Sequence, residues 1–212
     1  MKRTRAAFVL VAVMAGCSKP PEPPPAATTP ASAPSTATAT TSAAQPGRIV
    51  GKIHASGTAV VLLEPKSART FPAQTDRPVM DQVGLTFGPE LLLVRTGQPV
   101  EFRNSDDTLH NVHVTHEETR TPAFNVAIPT GNSYNHTFDL DGFYRVGCDI
   151  HPAMAASVFA ATTPYTAVAE SDGSFTFSDV PTGAWTVTVY TGGKRLRKDV
   201  EVKGGLTEVT ID

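Results

Sequence analysis

The feature that most constrains the fold of this chain is a series of short strand-like runs from residue 48 to residue 212. The runs are rich in Val, Ile, Thr and aromatic residues, and no stretch has the spacing of an amphipathic helix. Turn sequences such as 97–99 (GQP) and 171–173 (SDG) separate them. Many short strands at this spacing are typical of antiparallel sandwiches and barrels, so we predict an all-β protein. The predicted strands are 49–53, 59–63, 91–94, 100–102, 111–115, 133–138, 142–147, 157–161, 174–177, 185–190, 198–202 and 208–211.

The N-terminal part differs in composition from the rest of the chain. Basic residues within positions 2–5 precede an apolar run, 6–14, that is well short of the roughly 20 residues needed to span a bilayer. This pattern predicts a signal peptide over residues 1–16. Residues 17–47 are almost entirely Pro, Ala, Ser and Thr, which cannot bury a core and predict an extended linker.

The chain has only two cysteines, Cys17 and Cys148. Residues 13–17 (VMAGC) resemble the lipobox of bacterial lipoproteins, in which the cysteine becomes the lipidated first residue of the mature protein. The alternative is an ordinary signal peptide with a cysteine there by chance. Lipidation would leave Cys148 without a disulfide partner in an oxidising compartment, where exported proteins normally pair their cysteines. A free thiol is a liability there, so metal binding is the leading explanation for Cys148.

The balance of charge argues against nucleic acid as a partner. The chain has 18 Lys and Arg residues against 20 Asp and Glu residues, and three of the basic residues belong to the predicted signal peptide. The mature protein is therefore acidic, and a nucleic-acid-binding domain would be expected to be basic.

Four residues form a candidate metal site. Cys148, His151 and Met154 lie within seven residues of one another, and His110 lies upstream. Two imidazoles, a thiolate and a weak axial thioether are the ligand set of an electron-transfer copper centre. Three of the ligands can share one loop, so the fourth must come from elsewhere in the fold. The alternatives left open are a core role for Met154, a structural role for His110, a nucleophilic role for Cys148, and zinc as the metal.

These residues resemble the cupredoxin family, most closely its amicyanin and plastocyanin branches. The Cys-x2-His-x2-Met loop with Pro after the His, and the segment 109–113 (LHNVH), match the amicyanin-like pattern. The resemblance implies a Greek-key cupredoxin β-sandwich or barrel over residues 78–163, with one copper ion that alternates between Cu(I) and Cu(II). It further implies that Asn111 hydrogen-bonds near the Cys148 sulfur and that Pro152 stiffens the loop. The implied metal ligands are His110, Cys148, His151 and Met154.

A second resemblance involves both ends of the predicted β region. Residues 172–177 (DGSFTF) and 180–187 (VPTGAWTV) resemble the transthyretin-like, or carboxypeptidase regulatory-like, β-sandwich, and 49–53 (IVGKI) resembles its first strand. Residues 164–212 alone are too few for a good core without disulfides. We therefore expect a smaller, discontinuous sandwich, with first strands in residues 48–77, the remainder in 164–212, and the metal domain between them.

The function that these patterns favour is transfer of single electrons by a type 1 (blue) copper site. The lipobox implies an exported protein in the periplasm or cell envelope, lipid-anchored, with the outer membrane as the expected location. Transient redox proteins are the expected partners, and no enzyme activity is expected because a second metal cluster for oxygen reduction is not visible. Two alternatives remain, a copper-binding or delivery protein without redox turnover and a structural envelope lipoprotein. The histidines expected to be solvated or locally hydrogen-bonded are His54, His113, His116 and His136.

Overall fold

Sixteen β-strands, and no helix, make up residues 45–54 and 57–212, the part of the chain that the computed structural model describes. The all-β prediction is confirmed. The predicted signal peptide, Cys17 and the linker as far as residue 44 lie outside the described residues. Within the described ranges, no helix is long and apolar enough to cross a membrane. The strands are β1 (Gly47–Ile53), β2 (Ala59–Pro65), β3 (Val79–Val83), β4 (Thr86–Gly88), β5 (Leu91–Arg95), β6 (Pro99–Asn104), β7 (His110–His116), β8 (Pro122–Ile128), β9 (Ser133–Thr137), β10 (Gly142–Gly147), β11 (Ala155–Ala161), β12 (Thr166–Val168), β13 (Ser174–Val180), β14 (Gly183–Thr191), β15 (Lys194–Val202) and β16 (Gly205–Ile211).

The strands form four sheets, which pack as two sandwiches. The central sandwich, as we call it, consists of the sheets β5-β11-β10-β7-β8 and β4-β3-β6-β9. The terminal sandwich consists of the sheets β13-β1-β16 and β12-β2-β14-β15. In the terminal sandwich, β1 pairs with β13 and β16, and β2 pairs with β12 and β14. Each sheet of the terminal sandwich therefore combines a strand that precedes the central sandwich in sequence with strands that follow it.

Each sandwich has its own apolar core. Phe102 and Phe138 are fully buried in the central core, with their ring centroids 6.4 Å apart. Trp185 is fully buried in the terminal core, and its indole N–H donates to the carbonyl of Pro181 at 2.9 Å. Buried aromatic side chains remove more apolar area from water than other residues, so they contribute strongly to both cores.

The continuous apolar run of β2 is explained by burial on both faces. Ala59, Val61 and Leu63 point into the terminal core. The alternate residues Val60 and Leu62 contact β11 of the central sandwich, and all five side chains are nearly or fully buried. Side chains alternate along a strand, so a strand between two packed layers becomes apolar at every position.

The contact between the sandwiches is aromatic as well as aliphatic. Phe159 of β11 is fully buried between Phe143 and Tyr190, at centroid distances of 4.8 and 5.0 Å. At the edge of this contact the Arg195 guanidinium donates to the Glu118 carboxylate at 2.6 Å. The outer face of the sheet β5-β11-β10-β7-β8 is thus covered at this end by the terminal sandwich.

Four strands were not predicted from the sequence, namely β3, β4, β8 and β12. The strands β4 and β12 have only three residues each. Strand β8 begins with Pro122, and β3 contains Asp81, and both residue types are depleted in strands. Gln82 is fully buried, and its side-chain amide donates to the Arg103 carbonyl at 3.1 Å. Tertiary hydrogen bonding thus compensates for weak strand propensity.

Candidate metal centre

His110 is the first residue of β7, and its ring is fully buried at one end of the central sandwich. The loop before it is held by Asn104, whose amide donates to the carbonyls of Thr108 and Ile128, each at 2.8 Å. The Asn104 side-chain oxygen accepts the backbone N–H of Asp106 at 3.0 Å. Because Asn104 is itself fully buried, these bonds fix the path of the chain into His110.

Asp106 orients the His110 ring. Its carboxylate lies 2.8 Å from Nε2 of His110 and accepts the backbone N–H groups of Gly84 and Leu85 at 2.6 and 3.0 Å. The hydrogen bonds from Leu85, His110 and Gly84 hold the pKa of Asp106 below its usual value. A carboxylate can only accept, so Nε2 carries the proton and Nδ1 presents a lone pair. A carboxylate behind a histidine is a common way to orient a metal ligand.

The other candidate ligands lie on the loop between β10 and β11. The Cys148 backbone N–H donates to the Met154 carbonyl at 3.3 Å, and the Met154 N–H donates to the His151 carbonyl at 2.9 Å. These two bonds close the loop on itself, with Pro152 within it. Met154 is almost completely buried in the central core, and Cys148 is a buried free cysteine.

Three donor atoms converge where the loop meets β7. Nδ1 of His110 lies 3.0 Å from Nδ1 of His151, and the Cys148 sulfur lies 4.0 and 3.8 Å from these two nitrogens. All three atoms lie within 4.8 Å of one another, close enough to bind one ion.

Asn111 connects the loop to β7. Its side-chain oxygen accepts the Asp149 backbone N–H at 2.7 Å and lies 3.3 Å from the Cys148 sulfur, which donates to it as a thiol. Its amide donates to Asp149 at 3.0 Å and to Asn125 at 2.8 Å. Asn111 therefore contacts both the sulfur and the backbone of the residue that follows it.

The Asp149 carboxylate extends this network to the surface. It lies 3.0 Å from Nδ1 of His113, and it accepts the Asn125 amide at 2.8 Å. The hydrogen bonds from His113 and Asn125 hold the pKa of Asp149 below its usual value. This network ties β7, β8 and the ligand loop together.

The other histidines are not part of the donor cluster. His54 pairs with Asp212 at 3.0 Å. His116 is buried, and its Nδ1 accepts the Thr119 backbone N–H at 3.1 Å. His136 packs against Phe124, at a centroid distance of 4.5 Å, and burial lowers the pKa of its ring.

Sequence reasoning did not identify Asn104, Asp106 or Asp149 as part of the site. The available signals were position and residue type, because Asp106 lies four residues before His110 and Asp149 directly follows Cys148. In an unassigned loop, polar residues like these are indistinguishable from ordinary turn residues. Only the folded geometry gives them partners.

A comparison with family models identifies the central sandwich. Residues 75–160 match the model for copper binding proteins of the plastocyanin/azurin family. These residues are a cupredoxin domain. The match contains both the His110 segment and the loop that carries Cys148, His151 and Met154.

The cupredoxin domain also has counterparts among solved structures, at low overall similarity. A reduced amicyanin variant is 22% identical with a TM-score of 0.37, over 47% of this chain and 98% of that one. A purple cupredoxin from Nitrosopumilus maritimus is 22% identical with a TM-score of 0.35, over 40% of this chain and 99% of that one. A copper-containing nitrite reductase from Thermus scotoductus is 26% identical with a TM-score of 0.38, over 46% of this chain and 25% of that one. A search of curated proteins found no match.

The donor set of the cupredoxin domain fits copper. Imidazole and thiolate are the ligands that copper electron-transfer sites use, and zinc sites rarely add a methionine. His110, Cys148 and His151 offer these donors at one point, and Met154 is buried on the same loop. The cofactor is thus a single copper ion, which supplies a one-electron Cu(I)/Cu(II) couple when it is bound. The geometry and the family together support a copper-binding protein of the electron-transfer type.

Proposed function

We propose that this protein is a membrane-tethered type 1 copper protein that carries single electrons between redox partners of the cell envelope. The observation that carries the proposal is the buried cluster of His110, Cys148 and His151, with Met154 on the same loop. His110, Cys148, His151 and Met154 would hold the metal.

The supporting structure around the donors favours electron transfer. The Asp106 carboxylate fixes the His110 ring, and Asn111 fixes the segment that carries Cys148. Two backbone hydrogen bonds close the ligand loop. Donor side chains held this firmly would move little between the two oxidation states of a bound copper ion. Small reorganisation lowers the barrier to electron transfer, whereas a delivery protein needs ligands that move apart to release the metal.

The surface near the donors suits a transient protein partner. Leu109 and Ile150, the neighbours of His110 and His151, are each 48% exposed. Val83 and Leu85 are 52% and 51% exposed, and the Leu85 backbone is bonded to Asp106. Leu85 holds a φ of 57°, an uncommon conformation for a bulky residue. Exposed apolar side chains beside the candidate ligands would dock a redox protein over a small area.

The remaining parts of the proposal concern organisation and location. We propose that residues 48–77 and 164–212 form one transthyretin-like domain interrupted by the cupredoxin domain at 78–163, and the pairing of β1 and β2 with C-terminal strands supports this. The lipobox-like segment supports lipid anchoring at Cys17, with residues 17–47 as the tether. We propose an electron carrier rather than an enzyme. Among the described residues, one cluster of His, Cys or acidic side chains is close enough to share a metal ion.

Visible absorption after copper loading tests the central claim. An intense thiolate-to-copper band, bleached by ascorbate and restored by an oxidant, is expected. Replacing Cys148 with Ser should abolish the band, because no other thiol lies in the cluster. Replacing the exposed His54 with Gln is the matched control for His151→Gln, and only the latter should alter the band.

Each alternative has its own outcome. A protein that binds copper only as colourless Cu(I) would be a delivery protein, and one that takes up no copper would have a structural role. A band retained in the Cys148→Ser variant would refute the ligand assignment. For the anchor, Cys17→Ala should release the protein from the membrane fraction, and unchanged fractionation would refute lipidation.

A further inference from the structure

The two sandwiches leave a cleft at the edge of their contact, which we call the interface cleft. It is a cavity of about 600 Å³, lined by residues 117–118 and 142–143 of the central sandwich and by residues 190–195 of the β14–β15 hairpin. Each sandwich therefore supplies one wall. Cavities of this size are typical of small-molecule sites, which are frequent at the contact between two domains.

Contacts across the cleft hold its two walls together. The rings of Phe143 and Tyr190 lie 5.9 Å apart, and both pack against the fully buried Phe159. The Arg195 guanidinium lies 4.9 Å from the centroid of the Tyr190 ring and pairs with Glu118 of the opposite wall. Because the walls are already fixed, a small ligand would pay little for ordering them.

The hairpin turn fixes the rim of the terminal wall. Gly192 and Gly193 have φ values of 54° and 73°, and two positive φ values are the conformation of a tight two-residue turn. This turn makes Thr191 and Lys194 the last cross-strand pair of the hairpin. A Cβ added at either glycine would meet nothing within 4 Å, so the backbone conformation rather than lack of space favours glycine here.

The two walls carry opposite charges that are not paired with each other. Glu117 belongs to the central wall, where its backbone N–H donates to the Phe143 carbonyl at 2.8 Å. Lys194 belongs to the terminal wall. Within the described part of the chain, neither side chain takes part in an ion pair. One free anion, one free cation and two aromatic rings in the same cavity are complementary to a zwitterion with an apolar part.

We propose that the interface cleft binds a free α-amino acid with an apolar or aromatic side chain. The ammonium group of the ligand pairs with Glu117, and its carboxylate pairs with Lys194. Its side chain covers the rings of Phe143 and Tyr190. A free amino acid fits this arrangement better than a peptide, because it carries both charges on one carbon atom and can bridge two residues that do not reach each other. The inference goes beyond the proposed electron transfer and does not depend on copper.

A titration with matched probes tests the ligand class. We would add L-phenylalanine to the full isotope-labelled chain without copper and record amide NMR spectra. Signals of Glu117, Phe143 and Thr191 should shift, and those of Leu109 and Ile150 should not. Phenethylamine lacks the carboxylate and phenylpropionate lacks the ammonium group, so each should bind about threefold to tenfold more weakly than L-phenylalanine.

Substitutions of the two charged residues test the site itself. Glu117→Gln and Lys194→Gln should each weaken the binding of L-phenylalanine by about threefold to tenfold. The controls Glu208→Gln and Lys203→Gln remove the same charges from exposed positions outside the cleft and should leave binding unchanged. Saturating L-phenylalanine should also raise the melting temperature, and less so at the same concentration in the two cleft variants, because the ligand binds only the folded chain.

Each result decides for or against the interface cleft. No shift with L-phenylalanine, or equal affinity for the three probes, would overturn recognition of a free amino acid. Equal weakening in the cleft variants and in their controls would overturn the assignment of the site. A protein that shows no thiolate band after copper loading would refute the electron-transfer function but leave this inference standing, since the titration uses the copper-free chain.

Discussion

The two sandwiches of this protein differ in where they place polar side chains. In the central sandwich, several buried residues are polar. His110 and Asn111 contact Cys148, and Asn104 holds the loop that leads into His110. In the terminal sandwich, the buried polar residue among those described is Thr188, which faces the interface and donates to Glu64. Buried polar groups are costly unless hydrogen-bonded, so a cluster of them at one end of a fold indicates a site.

The two sandwiches also have different roles. The terminal sandwich buries apolar residues on both faces of β2 and covers Phe159 of the cupredoxin domain. The cupredoxin domain keeps its opposite end open, with Leu109 and Ile150 exposed. The terminal sandwich therefore stabilises the cupredoxin domain by covering one of its faces. The cupredoxin domain carries the candidate copper ligands at the strand ends away from that contact. The predictions that follow test this division of roles.

The largest effect is expected from removing the terminal sandwich. A chain that ends at residue 163 loses the partners of β1 and β2 and exposes Phe143 and Phe159. We expect aggregation and loss of cooperative unfolding, measured by light scattering and thermal denaturation. A soluble 48–163 fragment that unfolds cooperatively would show that the two sandwiches do not depend on each other.

The next largest effect is expected at Asn104, which organises the polar end of the cupredoxin domain. Asn104→Ala leaves the carbonyls of Thr108 and Ile128 without their partner, and should cost about 2–5 kcal/mol in the free energy of unfolding. Urea denaturation measures the change. The exposed Asn135→Ala on β9 is the control and should be nearly neutral. A similar cost in both variants would mean that the polar cluster does not stabilise the loop.

A smaller effect is expected from Asp106, because it acts through His110. Asp106→Asn weakens the hold on the His110 ring and should lower copper affinity about 10-fold to 100-fold. Competition with a chelator of known affinity measures this loss. The neighbouring exposed Asp107→Asn should leave affinity unchanged, and equal affinities in the two variants would refute an orienting role for Asp106.

The smallest effect is expected at His136, which lies away from the donors. Burial against aromatic rings lowers the pKa of His136, so the unfolded chain binds a proton more readily than the folded one. Its contribution to stability is complete above the unfolded pKa, about 6.5, and declines as pH falls below it. The loss should be less than about 1 kcal/mol between pH 7 and pH 5, because the ring is only partly buried. His136→Gln should flatten the pH dependence of the unfolding free energy, measured by urea denaturation across this pH range.

Much of the fold and of the site is predictable from local sequence. All-β structure follows from the repeated strand runs, and the predicted runs recur as strands in the structure. Strands β3 and β8 were not predictable, because their polar or proline residues lower strand propensity and long-range pairing compensates. The copper ligand set could be proposed because Cys148, His151 and Met154 share one loop, and the family match to residues 75–160 supports a copper site.

Other features of the site depend on residues that are distant in sequence. Asp106 and Leu85 are 21 residues apart, and Asn111 and Cys148 are 37 apart, yet each pair is in contact. No periodicity or spacing identifies such pairs, since loop geometry and strand order bring them together.

The sequence by itself determined the strand-rich architecture, because strand periodicity and turn residues are local properties. It also predicted which side chains offer donor atoms for copper, because donor chemistry is a property of the residue itself. The tertiary structure alone decided that three donors from His110, Cys148 and His151 meet within 4.8 Å. It also decided that the Asp106 carboxylate lies 2.8 Å from the ring nitrogen of His110 that faces away from the cluster. Convergence of this kind depends on packing and strand order over the whole chain, which no local pattern encodes.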